Sequence, residues 1–461
     1  MSLKSFQLNT HTFDVQYDVL KSVTLQCTDF EFGNNKFFQL ELHKDGQGIY
    51  RLYSRYGRTG KNGVEEERMP SDLSEAEHEF DKIVRSKGKK GYVEVKMAST
   101  SIGSGECNKK ILSQDIKNTN VVSTSATSSI KVDQAIVNIV SRLFEEAGQT
   151  CQASLNGSLQ ATASNPLGTL TLSQIKEGED ILKEANKVLV KDSSLVNSID
   201  PAVIALSNQF YSAIPQNIPL RPRDEDSRKE WMRKYLLNNS TILDEKHDLL
   251  DLLGDVKGMV SSFGTSDIGV KLDEINCDFN LVDNTTFIRI KKFVEDTQSR
   301  HHSWKLKVRN VWKVASKAQK SYFDHMKPIG NITPLFHGSR AANIIGICKK
   351  GLLLRPPGVY VTGSMFGNGL YFADQSTKSS QYATARFGGS SSKYGNSYFM
   401  FVADVALGRV KQYSDSQSHL NRAPSGYDSV QGVKGYSLLH NEFIIYDQKQ
   451  NQLQYLVEFE Q

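Results

Sequence analysis

The chain has 461 residues, of which 38% are hydrophobic and 23% charged, and its formal net charge is +5. This length exceeds one ordinary domain and suffices for two to four domains, each with its own core. The mildly basic balance permits nucleic-acid binding but does not by itself argue for it.

The cysteines and the apolar runs exclude several classes of protein. The five cysteines include no CxxC pair, which argues against a zinc site of the CxxC…CxxC kind and against a disulfide framework. Such cysteines suit a reducing compartment. The N-terminus lacks the apolar core of a signal peptide, and no apolar run reaches about 18 residues. We therefore expect a soluble intracellular protein.

Residues 1–97 predict a small α+β domain. "KFFQLEL" and "IYRLYSRYGR" are strand-like and flank the turn "HKDGQG". "LSEAEHEFDKIVRSK" places its apolar residues at helical spacing and predicts a helix. The acidic run 65–67 predicts an exposed turn or strand edge.

A change of composition marks the end of this domain. Residues 98–130 are dominated by Ser, Thr, Asn and Gly and contain no aromatic residue. Such a segment buries too little apolar area to offset its ordering entropy. We interpret it as a flexible linker.

Residues 131–262 predict an all-α domain, because apolar residues recur at helical spacing. Ser173 is a candidate N-cap for the helix in "LTLSQIKEGEDILKEANKVL". Asp200-Pro201 pairs an N-cap with a proline at the first helical position. "SRKEWMRKYLLNNSTILDEKHDLLDLLGDVKGMV" is predicted to be helical as well.

Residues 265–461 predict a mixed domain. "TTFIRIKKFVEDTQS" indicates a short helix, and "KLKVRNVWKVA" alternates like a strand. Beyond 330, short β-like pieces such as "PLFHGS", "GLYFAD" and "EFIIYD" are separated by Gly and Ser.

The residues that could carry chemistry lie in this last domain. His337 ends a short apolar run, and Gly363, Gly367 and Gly369 surround aromatic residues, which indicates a close approach of the backbone there. These glycines are not a GxGxxG dinucleotide motif, because no helix is predicted to open after them. Glu442 interrupts the apolar stretch "LLHNEFIIYD", where a solvent-facing carboxylate would be the ordinary interpretation. The pair at 301–302, two histidines, predicts a solvated turn rather than a metal site.

Taken together, these pieces resemble a known family. "LFHGSR", "GLLLRPP", "VTGSMFGNGLYFAD", "TKSSQYA", "VALG" and "NEFIIYD" follow one another as in the catalytic domain of poly(ADP-ribose) polymerases. "NPLGTLTLSQIKEGEDIL" and "ALSNQFYSAIP" resemble the helical regulatory domain of the DNA-dependent members. "LYSRYGRTGKNG" resembles their WGR domain, except that Tyr56 stands where the Trp of Trp-Gly-Arg belongs.

The resemblance implies a multidomain α+β fold. It consists of a small α+β WGR domain (1–97), a linker (98–130), an all-α regulatory domain (131–262) and a catalytic domain (265–461). The catalytic domain is an α+β ADP-ribosyltransferase domain built on antiparallel sheets.

The resemblance also assigns roles to single residues. His337, Tyr371 and Glu442 match the catalytic His-Tyr-Glu triad, in which His bonds the nicotinamide-side ribose of NAD+ and Tyr stacks on nicotinamide. The implied NAD-binding residues are His337, Gly338, Ser339, Tyr371, Lys378, Ser379 and Tyr382. Recognising nicotinamide requires a ring on each face and an amide-complementary pair, which the two tyrosines, Gly338 and Ser379 can supply. Cleavage of the glycosidic bond develops oxocarbenium character, which a carboxylate such as Glu442 stabilises.

The N-terminal domain is expected to meet DNA ends. The resemblance assigns this contact to Tyr56 and Arg58. Arg55 and Lys61 are added as predicted DNA-binding residues because they belong to a candidate basic face that includes Arg55, Arg58, Lys61, Lys87, Lys89 and Lys90. A solvated charged surface is the alternative interpretation of that face. Contacts to the phosphate backbone carry no sequence information and should be sensitive to salt.

The sequence therefore predicts a DNA-break-activated NAD+ ADP-ribosyltransferase that extends poly(ADP-ribose). NAD+ is a consumed substrate, and neither a cofactor nor a metal is expected. The expected partners are DNA breaks or ends, protein acceptors including the chain itself, and an accessory protein at the catalytic site, with no membrane. The expected location is the nucleus, for which "RSKGKKGY" is a weak basic signal. The alternatives are a mono(ADP-ribosyl)transferase and a catalytically silent DNA-end scaffold.

Overall fold

The fold is a chain of three units that differ in their secondary structure. The computed structural model describes residues 13, 17–61, 63–95, 132–155, 167–168, 170–355, 365–384 and 397–460. The predicted linker and Gly363 lie outside these residues. The described part confirms the multidomain α+β architecture. None of its helices is long and apolar enough to cross a membrane.

The N-terminal unit is an antiparallel sheet with one helix packed on it. Its elements are β1 (Tyr17–Asp29), β2 (Asn34–Asp45), β3 (Tyr50–Arg58), β4 (Val64–Arg68), α1 (Leu73–Gly88) and β5 (Val93–Glu94). The strand order is β4-β3-β2-β1-β5. Ala76 and Phe80 of α1 join Leu40 and Leu52 of the sheet in one apolar core. The acidic run forms the edge strand β4, whose residues are all exposed, as predicted.

The second unit is helical, as predicted. Its helices are α2 (Gln134–Leu155), α3 (Leu172–Lys191), α4 (Pro201–Ala213), α5 (Glu225–Tyr235), α6 (Ser240–Lys257) and α7 (Val260–Phe263). Asp200 caps α4 as predicted. The cap predicted at Ser173 is wrong by two residues, because Thr171 and Gln174 form a reciprocal capping box at α3. The long helix predicted from Ser227 is broken before Asn239, whose side chain caps α6.

The C-terminal unit contains two sheets joined edge to edge. Sheet order is β6-β7-β14-β10-β8 in one and β11-β12-β13-β9 in the other, and the β11–β12 pair alone is parallel among the described strands. A bridge between Phe336 and Ala373 joins the two sheets. The strands are β6 (Cys277–Leu281), β7 (Lys307–Ser316), β8 (Ile332–Gly338), β9 (Leu370–Phe372), β10 (Ser397–Ala406), β11 (Val410–Tyr413), β12 (Ser429–Gly432), β13 (Glu442–Ile445) and β14 (Asn451–Glu460). The helices are α8 (Ile268–Ile275), α9 (Asn284–Asp296), α10 (Lys317–Met326), α11 (Ile344–Lys350) and α12 (Ser376–Ser380).

Phe30 of the N-terminal unit packs into the core of the helical unit. It lies in the turn between β1 and β2, is 1% exposed, and belongs to the core of the helical unit. Its ring centroid lies 5.4 Å from that of Tyr211 and 5.3 Å from that of Trp231. Its backbone N–H donates to Asn208 Oδ1 at 3.0 Å. One aromatic side chain therefore closes the core of the neighbouring domain.

Phe30→Ala is expected to destabilise the protein by about 3–5 kcal/mol, because it removes a buried aromatic ring and leaves a cavity. Phe32→Ala, two residues away, is the matched control, since Phe32 is 76% exposed. That control should change the free energy of unfolding by less than about 0.5 kcal/mol. Denaturant unfolding monitored by tryptophan fluorescence measures both. Equal effects of the two changes would contradict the anchoring role of Phe30.

Candidate active site

Three neighbouring strands bring His337, Tyr371 and Glu442 together. His337 lies on β8, Tyr371 on β9 and Glu442 at the start of β13. Tyr371 pairs directly with Ile444, so Glu442 is two residues further along the partner strand and on the same face. Such diagonal neighbours lie about 7–8 Å apart. The three residues of the predicted triad thus share one site.

His337 is held in a single tautomer. Its Nδ1 lies 3.0 Å from the carbonyl oxygen of Tyr371, which can only accept, so Nδ1 carries the proton. Burial lowers the pKa of His337, and the carbonyl of Tyr371 only partly opposes that shift. The imidazole is therefore neutral at physiological pH, and its Nε2 is free to accept a hydrogen bond from a hydroxyl.

Tyr371 is fixed by the glycine-rich loop before it. Its hydroxyl donates to the carbonyl of Gly367 at 2.8 Å and accepts from the N–H of Phe366 at 3.1 Å. Gly367 has a φ of +71°, and a Cβ there would lie 1.8 Å from the carbonyl oxygen of Leu420. Only glycine fits this position. The loop therefore presents the ring of Tyr371 in one orientation.

Glu442 is buried and paired with a lysine. Its exposed fraction is 9%, and its Oε1 lies 2.8 Å from Nζ of Lys378 on α12. Burial alone would lower the pKa of Lys378, but Tyr382 and Glu442 outweigh it and raise that pKa. A lysine that stays protonated gives the buried carboxylate a cationic partner inside the site.

Gly338, Ser379 and Tyr382 form a second group beside the triad. A Cβ on Gly338 would lie 1.9 Å from the carbonyl oxygen of Ser379 and 3.5 Å from Cβ of Tyr382. The hydroxyl of Ser379 donates to the carbonyl of Phe336 at 3.0 Å, which leaves its lone pairs as acceptors. Tyr382 is half exposed, and Lys378 Nζ lies 5.7 Å from its ring centroid. Ser339 follows Gly338 and is buried.

Helix α6 of the helical unit is ion-paired to the edge of this site. Arg355 donates to Asp248 Oδ1 at 2.7 Å, and its Nη1 lies 3.2 Å from Asp244 Oδ1. The carbonyl of Arg355 accepts from Asn368 at 3.0 Å, next to the Gly367 that binds Tyr371. Burial raises the pKa of Asp244 to about 7, against the opposing effect of Arg355. Helix α6 is thus linked to the loop that carries Tyr371.

The same helix is linked to the N-terminal unit. Lys246 Nζ donates to Gln216 Oε1 at 2.7 Å, and Asn35 donates to the backbone carbonyl of Gln216 at 2.9 Å. Burial lowers the pKa of Lys246 to about 8. Sequence reasoning missed these links, although Asp244, Asp248, Asp251 and Asp255 recur at helical spacing and mark one acidic face of α6.

The residues predicted to bind DNA separate into two environments. Tyr56 is stacked on Phe38, with 5.7 Å between ring centroids, and its hydroxyl donates to Glu66 at 2.5 Å. Lys87 Nζ lies 5.4 Å from the ring of Tyr56. These side chains line a surface cavity of about 400 Å³ between the sheet and α1. Arg55 pairs across the strands with the acidic edge, and Lys61 is exposed.

Arg58 lies between the two domains. Its guanidinium donates to the carbonyls of Ile218 at 2.9 Å and Pro219 at 3.1 Å. Burial lowers the pKa of Arg58. The DNA contact of Arg58 stays a prediction, and the structure adds an interdomain contact that its sequence position did not indicate.

The two adjacent histidines differ in their surroundings. His301 is exposed, as predicted for a solvated turn, but the prediction is wrong for His302. The ring of His302 is half-buried and stacks on Trp304 at 4.2 Å. Within the described residues, no group of three or more His, Cys, Asp or Glu is arranged to hold a metal.

Models of three protein families match the chain in succession. A WGR domain model matches residues 21–99, and a poly(ADP-ribose) polymerase regulatory domain model matches 130–271. The poly(ADP-ribose) polymerase catalytic domain model matches residues 284–437. The fold and site therefore define a catalytic domain of the ADP-ribosyltransferase class.

Curated relatives show the same relationship along the chain. Poly [ADP-ribose] polymerase 1 of Gallus gallus is 26% identical over 95% of this chain and 44% of its own length. Poly [ADP-ribose] polymerase 2-A of Oryza sativa subsp. japonica is 24% identical over 96% of this chain and 70% of its own. Poly [ADP-ribose] polymerase 1 of Caenorhabditis elegans is 26% identical over 97% of this chain and 50% of its own length. The chain thus spans about half the length of the two type 1 relatives. The chain therefore carries the WGR, regulatory and catalytic domains of poly(ADP-ribose) polymerases.

Gly338→Ala is expected to lower the free energy of unfolding by about 1–3 kcal/mol, because the new methyl group overlaps backbone that cannot move freely. Gly254→Ala in α6 is the matched control, since nothing lies within 4 Å of a Cβ there. Alanine should stabilise that helical position by about 0.5–1 kcal/mol. Thermal unfolding of both variants measures the difference, and a neutral Gly338→Ala would refute the close approach to Ser379.

Proposed function

We propose that the protein is a DNA-break-activated NAD+ ADP-ribosyltransferase of the DNA damage response. It transfers ADP-ribose to proteins, extends poly(ADP-ribose) and releases nicotinamide. The convergence of His337, Tyr371 and Glu442 in a domain that matches the family's catalytic model carries this proposal. NAD+ is the consumed substrate, and no other cofactor takes part in the chemistry.

Nicotinamide binds in the group formed by Gly338, Ser379 and the two tyrosines. The fixed ring of Tyr371 stacks on one face, and Tyr382 covers the other. The backbone of Gly338 and the hydroxyl of Ser379 bond the carboxamide, whose N–H the lone pairs of Ser379 can accept. The close approach of Gly338 to the Ser379 backbone supports this assignment, because it leaves a narrow slot that suits a flat ring.

The remaining groups act on the ribose. The neutral His337 accepts a hydrogen bond from a ribose hydroxyl through Nε2. As the bond to nicotinamide breaks, positive charge develops on the ribose, and the buried carboxylate of Glu442 stabilises it. Lys378 supports this by pairing with the Glu442 carboxylate and holding it in position until the substrate binds. Glu442 is compatible with polymer extension, since it can also bond a ribose hydroxyl of the growing chain.

DNA activation follows the links between the domains. The face that carries Tyr56, Arg55 and Lys61 binds a DNA end, with Lys87 beside the aromatic ring. Binding there changes the contacts of Phe30, Arg58 and Asn35 with the helical domain. Helix α6 then loosens from Arg355, and the dinucleotide enters. We place the protein in the nucleus, with itself and other proteins as acceptors and an accessory protein at the acceptor side.

Glu442→Gln is expected to lower nicotinamide release by about 10²–10³-fold, because it removes a preorganised charge from the developing cation. Labelled NAD+ incorporation, with and without a 5′-phosphorylated DNA duplex, measures the product on a gel. The exposed Glu295, which makes only a 3.8 Å pair with Lys291, provides the control Glu295→Gln.

The gel separates the candidate functions. Smears that require DNA and collapse in Glu442→Gln support the break-activated polymerase. Sharp bands in the unaltered protein mean single-unit transfer. Equal signal with and without DNA refutes the activation, and no NAD+ consumption at all leaves only a DNA-end scaffold.

Asp244→Asn/Asp248→Asn is expected to raise DNA-independent nicotinamide release by about 10-fold or more, because a charged hydrogen bond to Asp248, worth about 1.5–3 kcal/mol, and an ion pair with Asp244 restrain Arg355. Asp226→Asn, an exposed position in the first turn of α5, should leave it unchanged. Initial rates without DNA measure both variants. Unchanged DNA dependence in the double variant would show that α6 does not restrain the site through Arg355.

A further inference from the structure

A pair of histidines lies beside Glu442 without a part in the chemistry described so far. Nε2 of His440 lies 3.1 Å from Nε2 of His302, and the two rings meet edge to face with centroids 4.7 Å apart. His440 is 4% exposed. Gln381, next to the nicotinamide tyrosine Tyr382, donates to the same nitrogen of His302 at 2.8 Å. The pair therefore joins the 301–304 segment to the strand that carries Glu442.

The hydrogen bonds assign the protons of the pair. The amide N–H of Gln381 requires Nε2 of His302 to be an acceptor, so His302 is neutral with its proton on Nδ1. The contact between the two Nε2 atoms needs one proton, which must then be on His440, and the two N–H donors share the single lone pair of His302 Nε2. Nδ1 of His440 is consequently a basic lone pair. It is buried, and none of the described residues supplies it with a hydrogen-bond partner.

His440 lies two residues before Glu442, in the bend that precedes β13, and both side chains are buried. Glu442 and Lys378 both act electrostatically on His440, so a hydroxyl nucleophile bound at Glu442 lies near its imidazole. Glu442 is already paired with Lys378 at 2.8 Å, and removing a proton from a nucleophile would compete with that ion pair.

We propose that the His302–His440 pair is the proton acceptor for hydroxyl nucleophiles in the transfer reaction. This inference depends on the proposed function. As the ribose C1–nitrogen bond breaks, its electron pair goes to the pyridinium nitrogen, and neutral nicotinamide leaves. The hydroxyl oxygen of a serine or of a polymer ribose forms the new bond to C1, and its proton passes to Nδ1 of His440. His302 stabilises the resulting imidazolium by accepting from Nε2–H.

The charges around the pair keep it neutral before reaction. Burial lowers the pKa of His440, and Lys378 and His301 lower it further, while Asp374 and Glu442 oppose them. A base with a lowered pKa is available throughout the range above that pKa. Transfer to hydroxyls should therefore fall only as the pH drops below the ordinary range of histidine.

The test compares ADP-ribose transfer to hydroxyl acceptors, which must lose a proton, with transfer to carboxylate acceptors, which need not. A carboxylate acceptor is already deprotonated, whereas a serine or ribose hydroxyl is not. His440→Gln should lower hydroxyl-linked transfer and polymer extension by about 10²–10⁴-fold and leave carboxylate-linked transfer within a few-fold. Neutral hydroxylamine, which cleaves the ester but not the hydroxyl linkage, separates the two products. His325→Gln, in the distant helix α10, is the control.

Each outcome is decisive. Equal loss of both linkages means that His440 only positions Glu442 and overturns the proposal, as does undiminished hydroxyl transfer. The acidic limb of the hydroxyl pH–rate profile must vanish in His440→Gln and shift in His302→Gln, and an unchanged limb also overturns it. Circular dichroism and thermal unfolding confirm that the variants fold. Failure of the unaltered protein to release nicotinamide would refute the proposed function itself, before any variant is compared.

Discussion

The site depends on one ion pair, between Glu442 and Lys378. A buried carboxylate without a partner would lose its charge, because desolvation costs an ion several kcal/mol. Lys378 supplies that partner from a short helix, and the contacts around the helix hold it in place. Ser376 donates to the carbonyl of Val294 at 2.7 Å, and Thr377 accepts from the N–H of Ser299 at 2.8 Å. Neutral hydrogen bonds outside the site therefore fix the position of Lys378, and with it the position of the Glu442 carboxylate.

A few short contacts also link the three domains. Phe30 and Asn35 of the N-terminal domain meet the helical domain, Lys246 meets Gln216, and α6 meets Arg355. Each of these contacts is short and polar or aromatic, and those that involve α6 add to an apolar core that the helical and catalytic domains share. Contiguity alone does not establish coupling, which requires an element with two arrangements. Helix α6 is linked to the N-terminal domain through Gln216 and contacts the catalytic domain at Arg355, against which it places carboxylates with raised pKa values.

Local sequence signals predicted much of the fold and the centre of the site. Asp200-Pro201 specified a helix start through a cap and a fixed φ, and both features act within a few residues. The order of motifs around His337, Tyr371 and Glu442 identified the site, because each motif is also a strand. The misses around the site and between the domains involve partners distant in sequence. Nothing local to Arg58 indicates the carbonyls of Ile218 and Pro219, and nothing local to His302 indicates His440, 138 residues away.

The proposed division of labour between Glu442 and His440 follows from what each environment permits. A carboxylate that stabilises a cation must stay ionised through the transition state, and a protonated lysine at 2.8 Å favours that state. A proton acceptor must instead begin neutral and end charged, which a buried imidazole with a second imidazole as hydrogen-bond partner can do. Glu442 and His440 can therefore stabilise the cation and accept the proton at the same time, whereas a single carboxylate could do only one of these at a time. Acceptors that carry no proton need only the first group, so the choice of acceptor depends on the bend that precedes Glu442 and holds His440.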